Sequence, residues 1–527
     1  MKASESSPRH AFLVGSGILL SRIAGLIRDR IFAHYFGNSD AADAFKAAFR
    51  IPNFLQNLFG EGVLSASFIP VYAGLLARGE EEEARRTAGA VAALLSVCTS
   101  LLVLLGVLAT PLLIDAIAPG FSGAKRELTI RLVRVLFPGA GLLVLSAWCL
   151  GILNSHRRFF LSYTAPVVWN AAMIVALLAL GPRFPQYDLA ALLAWASVAG
   201  SGLQLGVQLP VVLRLLGGLR LSWGRGSEHV RAVVRNFVPV FFGRGVVQIS
   251  AYVDALLASL LPTGSLAALS YAQTLYTLPV SLFGMSVSAA ELPAMSGALG
   301  PPEQAAEALR VRLDAGLRRI ALLVVPSVLA FLALGDVIVA ALYQTGRFTR
   351  ADVVYVWGIL AAAAVGLLAA TLGRLYSSAY YALRDTRTPL RFALVRVALT
   401  IALGLLFALP LPRLLGIDPK WGAAGLTASA GIAACVELFL LRRALGFRIG
   451  RTGLDSGYVA RLWASAAIAA AVGWGVKLAV GLDHPVVVGT LAVAAYGAAY
   501  FAVTAALGLG EGRRFLARIP VVGARLR

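Results

Sequence analysis

Residues 21–53 read "SRIAGLIRDRIFAHYFGNSDAADAFKAAFRIPN". Arg22, Arg28, Asp29, Arg30, Asp43, Lys46 and Arg50 stand there among apolar residues and glycines. The 527-residue chain around them is greasy: 59% of it is hydrophobic, 14% is charged, and its mean hydropathy is +0.79. A soluble domain is rarely that apolar, and runs of about 18 or more mostly apolar residues recur throughout. The fold class is therefore an all-α polytopic membrane protein. The short alternating segments of a β-barrel do not occur. The puzzle is why so many charges stand where lipid should be.

Around this stretch, about fourteen helical segments can be marked between Pro/Gly-rich or charged connectors such as "NSHRR", "GPRFPQ", "GALGPPEQ" and "LPLPRLLGIDPK". The first is read as a retained helix, because its apolar run is interrupted by Arg22 and no small-residue cleavage site occurs after it. Alternate connectors are basic. Arg157 and Arg158 fill one, and Arg214, Arg220, Arg225, Arg231 and Arg235 another. Arg384, Arg387 and Arg391 fill a later one, and Arg442, Arg443, Arg448 and Arg451 one beyond it. The connectors "SLLPTGS" and "GLDHP" hold no Lys or Arg. Fourteen spans with both termini in the cytoplasm satisfy this pattern. The same distribution explains the net charge of +21 without nucleic acid, since no soluble basic domain exists to bind it.

A weak internal echo suggests two halves. "RIPNFLQNLFGEG…FIPV" and "YTLPVSLFG…ELPA" each place a proline mid-helix, then Phe-Gly, then a second proline. The expected organisation is two six-helix lobes in pseudo-twofold repeat, residues 1–220 and 221–447. Residues 448–527 then add two further helices and a basic tail. Pro52 and Pro279, in equivalent places, are candidate bends, with Gly60 and Gly62 as a second flexible point.

On a helix the charges become orderly. Asp43, Lys46, Arg50, Asn53, Asn57 and Glu61 come at steps of three and four, one face about 27 Å long at 1.5 Å per residue. Arg22, Gly25 and Asp29 form a second face, with Arg28 beside them. An exposed charge near mid-bilayer costs at least about 2.5–3.5 kcal/mol, so these faces look into water or onto partners. One reading is structural: Asp29 pairs with Arg22 or Arg28, Asp43 with Lys46 or Arg50, and the set locks two helices. The other is a hydrated, net-cationic cavity for an anionic substrate, because local pairing leaves positive charge over. In the second half Arg244 lies inside an apolar run between two glycines, with Asp254 as a local pairing partner. Arg374 and Glu437 are further intramembrane charges, whereas Glu291 and Lys477 fall near segment ends.

Enzymatic chemistry finds no support. No Gly-Lys pair occurs, so there is no Walker motif, and neither HExxH nor GxSxG is present. Cys98, Cys149 and Cys435 are far apart in apolar segments and form no metal or disulfide pattern. No metal site and no cofactor are expected.

The stretch "SRIAGLIRDRIFAHYFG…ADAFKAAFRIPNFLQNLFGEGVLSASFIPVY" resembles the N-terminal signature of the MurJ/MviN family of lipid II flippases. "GILNSHRRFFLSYTAPVVWNAAM", "VDALLASLLPTGSLAALSYAQTLYTLP" and "ALYQTGRFT…SSAYYALRDTRTPLRFAL" resemble its later blocks, in order. The resemblance implies the fold of the MOP exporter superfamily, with two lobes around a central cationic cavity and two extra helices forming a lipid-facing groove. It implies undecaprenyl-diphosphate-linked peptidoglycan precursor as substrate, flipped by alternating access across a bacterial inner membrane. Membrane lipids surround it, and other cell-wall synthesis proteins are conceivable partners. Arg22, Arg28, Asp29 and Asp43 match the family's functional charged positions, and Ser21 and Glu61 match motif positions. Arg50 joins the candidate substrate contacts through its place on the stripe.

The chain also departs from the family. Gln56 stands where a basic residue is frequent, and Thr274 and Thr277 stand where an Arg and then an acid are common. Arg244 is the candidate to supply the charge that Thr274 lacks. Some members carry Asn and then Asp on helix eleven, attributed to a sodium site. Arg396 and Thr400 stand there, which counts against a bound sodium. Three alternatives remain: a flippase for another lipid-linked glycan, a cation-coupled drug exporter of the same superfamily, and a non-transporting membrane scaffold.

Overall fold

The computed structural model describes residues 8–59, 61–224, 226–296, 302–480 and 484–509. Every regular element among them is helical. The chain divides into two compact units, Met1–Gly264 with Thr345–Arg347, and Ser265–Gln344 with Phe348–Arg527.

The first unit contains α1 (Pro8–Phe36), α2 (Asp40–Phe59), α3 (Glu61–Ser67), α4 (Ile69–Ala77), α5 (Glu81–Leu108), α6 (Thr110–Ile117), α7 (Gly123–Ser155), α8 (Phe159–Leu180), α9 (Gln186–Leu216) and α10 (Glu228–Ser259). The segment 40–77 suggested by the sequence is one candidate span, Asp40–Ala77, with a turn at Phe68 before α4. The central helix is α7, against which α9, α2, α5 and α3 pack, while α1 lies on α8. Its Leu132, Val133, Val144, Trp148, Ile152 and Leu153 are all buried. Between α7 and α9, Ser146 donates to Gln208 at 2.6 Å and receives from Gln204 at 2.9 Å. Such a bond fixes the register of two membrane helices that dispersion alone would leave free to slide. Thr345–Arg347 joins this unit by its own bonds: the Arg347 amide donates to the His34 carbonyl at 2.9 Å, and Thr345 meets the His34 ring at 2.8 Å.

The second unit contains α11 (Ser265–Pro279), a π turn (Val280–Met285), α12 (Ser286–Ser296), α13 (Pro302–Ala333), α14 (Gly335–Tyr343), α15 (Arg350–Ala364), α16 (Leu367–Ala382), α17 (Arg387–Ala408), α18 (Pro410–Leu414), α19 (Gly422–Ile449), α20 (Ser456–Ala479) and α21 (Pro485–Ala506). Here α19, rich in Gly and Ala, takes the central place, with α17, α16 and α15 on it. Small residues let backbones approach closely. The closest case is Gly366, at the 41° bend between α15 and α16: a Cβ there would lie 2.2 Å from the Gly431 Cα. Gly366→Ala is expected to cost about 1–3 kcal/mol, read as a lower midpoint of thermal unfolding in detergent. Gly475→Ala, with open space around it, is the control and should leave the midpoint unchanged.

The two final helices pack on each other and on α13 and α14. Tyr496 and Tyr500 donate to the carbonyls of Pro326 and Leu322, both at 2.7 Å. At one end Asp336 of α14 is buried between Lys477 at 2.8 Å and Arg350 at 2.9 Å. Burial pushes its carboxyl up, but the two cations prevail and hold it below the usual range. Lys477, a helix-end charge by its place in the sequence, is therefore a fastening between helices.

Eleven helices among the described residues are long and apolar enough to cross a bilayer, or twelve if the bent pair α15–α16 is one span. The fourteen suggested by the sequence exceed this count, because α1 and α10 fall outside it.

Candidate functional site

The charges of α1 and α2 meet inside the first unit. Arg28 Nη2 donates to Asp29 Oδ1 at 2.9 Å, and its Nη1 reaches Asn170 Oδ1 on α8 at 3.1 Å. Its guanidinium also lies 5.0 Å from the centre of the Trp169 ring. Lys46 of α2 approaches the same Asp29 oxygen at 3.5 Å and lies 4.7 Å from the Phe32 ring centre. Asp29 is the innermost, its side chain 8% exposed against 19% for Arg28 and 16% for Lys46. Two cations share the Asp29 carboxylate. A guanidinium held edge-on by Asp29 and Asn170 and face-on by Trp169 is fixed in orientation, the state in which it recognises a phosphate-like anion best.

Asp43 takes another direction. It is buried, accepts from Lys125 Nζ at 2.7 Å and from the Gly264 amide at 2.8 Å, and Lys125 also meets Asp40 at 2.9 Å. Its ion pair with Lys125 ties α2 to α7, where the sequence offered only Lys46 and Arg50 on the same helix. The Arg50 carbonyl accepts from the Tyr252 hydroxyl at 2.7 Å, and Asp254 of α10 acts electrostatically on the Arg50 guanidinium. Asp254, a local partner for Arg244 by sequence alone, is thus within electrostatic reach of α2.

Arg22 is exposed, one turn from Gly25, where a Cβ would meet nothing within 4 Å, and Ser21 is half-buried. Pro52 is buried inside an unbroken α2. Pro279 ends α11 and opens the π turn. Gly60 lies outside the described residues, as do the side chains of Glu61 and Arg244; Glu61 and Gly62 open α3. Thr274 turns its hydroxyl back to the Ser270 carbonyl at 3.0 Å. In the second unit Arg396 pairs with Glu437 at 3.0 Å, and both act on Arg374. Among the described residues no three His, Cys, Asp or Glu side chains gather as a metal site.

Three contributors escape a reading of the sequence. Trp169 and Asn170 stand in plain sight in "APVVWNAAM", and the only available signal is an amide and an indole side by side within an apolar run. Lys125 opens α7 in "SGAKRELTI", where a charge at a helix start reads as solvated.

The model of the family described as lipid II flippase MurJ matches residues 32–496. A lipid II flippase MurJ of Burkholderia cenocepacia is 32% identical over 440 residues, covering 82% of each chain. A probable lipid II flippase MurJ of Bdellovibrio bacteriovorus is 34% identical over 442 residues, covering 82% of this chain and 81% of that one. Among solved structures, a lipid II flippase MurJ in an inward closed conformation superposes with a TM-score of 0.77 at 24% identity, over 94% of this chain and 98% of that one. An inward-facing multidrug resistance MATE transporter of the MOP superfamily gives 0.63 at 16% identity, over 83% and 98%. These two likenesses speak to the fold alone. The family match takes in Lys46 and Asn170 and begins just after Asp29, the likeness to the relatives covers four-fifths of the chain, and by both the chain belongs to the lipid II flippase MurJ family.

Proposed function

We propose that this chain is a lipid II flippase of a bacterial inner membrane, carrying the polyprenyl-diphosphate-linked precursor between leaflets by alternating access. Family membership supports the activity. The observation that carries the site is the cluster on α1, α2 and α8, where Arg28 and Lys46 share the single carboxylate of Asp29. Paired cations held around one buried carboxylate suit a visiting anion, and the diphosphate is that anion. Arg22 and Arg50 extend the cationic face along their helices. In this reading α1 and α10 also cross the membrane, giving fourteen spans with both termini cytoplasmic. Bending at Pro52 and at the π turn after Pro279 accompanies the change of access. No bound sodium is invoked, Arg396 of α17 being paired with Glu437 of α19.

A drug exporter of the same fold would handle organic cations, which this face repels. The deciding experiment is complementation of a strain depleted of its own lipid II flippase, paired with a lipid II translocation assay. Growth and translocation are expected. A well-expressed, correctly inserted protein that supports neither overturns the reading.

A further inference from the structure

The C-terminal end of α19 carries a feature that the flipping reaction does not use. Phe439, Arg442, Arg443, Gly446 and Phe447 fall at i, i+3, i+4, i+7 and i+8, one stripe of a helix. With Arg451 from the next connector they line a cavity of about 520 Å³. Both phenylalanines face outward, Phe447 being 82% exposed and Phe439 59%. Between them Gly446 leaves a recess, since a Cβ there would meet nothing within 4 Å.

The three arginines of this cavity are differently placed. Arg442 is held by its Nε, which donates to the Thr452 carbonyl at 2.9 Å, and its guanidinium packs against Gly453. It keeps its terminal nitrogens for another acceptor. Arg443 and Arg451 are exposed, and neither forms an ion pair among the described residues. The neighbouring Arg448 is different, engaged by Asp385 at 2.8 Å and stacked over Tyr380. Asp385 is itself held down to about 2 by the hydroxyl and amide of Thr388, so it stays an anion and keeps Arg448 occupied at any physiological pH. Three guanidiniums therefore converge on one recess with no carboxylate paired to them among the described residues, between two apolar rings open to the surroundings.

We propose that this recess is a binding site for the headgroup phosphate of an anionic phospholipid of the cytoplasmic leaflet. The excess of basic connectors places this end of α19 at the cytoplasmic face, where anionic lipids provide the matching charge. Arg443 and Arg451 grip the phosphate oxygens over Gly446, Arg442 meets it from its fixed position, and the acyl chains lie along Phe439 and Phe447. A free phosphate would satisfy the arginines but leave both rings uncovered, and for that reason the lipid is the better occupant.

The full-length protein in neutral detergent is titrated with dioleoylphosphatidylglycerol, dioleoylphosphatidylcholine or inorganic phosphate, and bound lipid is counted by native mass spectrometry. Phosphatidylglycerol should bind saturably with one tight site, and phosphatidylcholine should not. Arg443→Gln with Arg451→Gln should weaken that site about thirtyfold, taking roughly 1 kcal/mol for each cation near the surface. Gly446→Leu, which fills the recess without touching a charge, should weaken it about tenfold. Each variant's thermal midpoint, measured without lipid, shows that it is folded. Equal binding of the two lipids, wild-type affinity in both variants, or displacement of the lipid by millimolar phosphate overturns the proposal.

Discussion

Arg28→Ala is expected to insert, fold and fail: the variant should not rescue a flippase-depleted strain, and its translocation of lipid II should fall at least about a hundredfold. Folding should survive because Asp29 is not stranded. Lys46 remains 3.5 Å from the same carboxylate oxygen, so the buried charge keeps a partner. Function should be lost because the oriented guanidinium disappears with Arg28, and charge-assisted bonds to a phosphate contribute about 1.5–3 kcal/mol each. Two such bonds account for the expected factor. Arg28→Lys restores the charge but not the fork, since one ammonium cannot serve Asp29 and Asn170 while stacking on Trp169. It should recover only part of the rate. Wild-type translocation by the alanine variant, measured in proteoliposomes, would remove Arg28 from the site.

Lys125→Met should be the more damaging change to stability, by about 3–5 kcal/mol, because it removes the ammonium that lies 2.7 Å from the buried Asp43 carboxylate. The expected readout is a sharp fall in detergent-extractable folded protein. Adding Asp43→Asn should return most of that loss, since a neutral amide still accepts from Gly264 and no longer requires a cation. The double variant also separates two roles for Asp43. Recovery of translocation along with folding makes Asp43 a fastening between α2, α7 and the Gly264 turn. A folded but inactive double variant makes its charge part of substrate handling. The pairing geometry favours the first outcome.

The fold class was legible because a bilayer demands long apolar helices, and that demand is written into most segments of the chain. The three-four spacing of charges on α2 was legible for the same reason, since a helix repeats its faces. Partner choice was not. Asp43 has Lys46 and Arg50 one and two turns away, yet binds Lys125, eighty-two residues on. Nothing local distinguishes these cations; the packing of α2 on α7 decides, and no periodicity encodes which helices become neighbours. Asn170 was hidden in the opposite way, as a neutral polar residue whose importance appears only when a guanidinium arrives from α1. Breaks inside long segments were equally hard to see. Gly366 looks like any membrane glycine until Gly431 is found against it.

The π turn at Val280–Met285 bears on how the length of this chain can change over evolution. A turn of this kind is an α-helix that has absorbed one extra residue while the residues beyond it keep their phase. Elsewhere in a span, losing one residue rotates everything downstream by about 100°. Such a loss after the turn would swing Glu291 away from Arg319, now its ion-pair partner at 2.6 Å. Within the turn, removal of the outward-facing Leu282 lets an ordinary helix close over the gap, with Glu291 still on the side that meets Arg319. Single-residue gaps between this chain and its relatives in this span should therefore gather at 280–285, and a gap there signals no change in the residues that face the neighbouring helices.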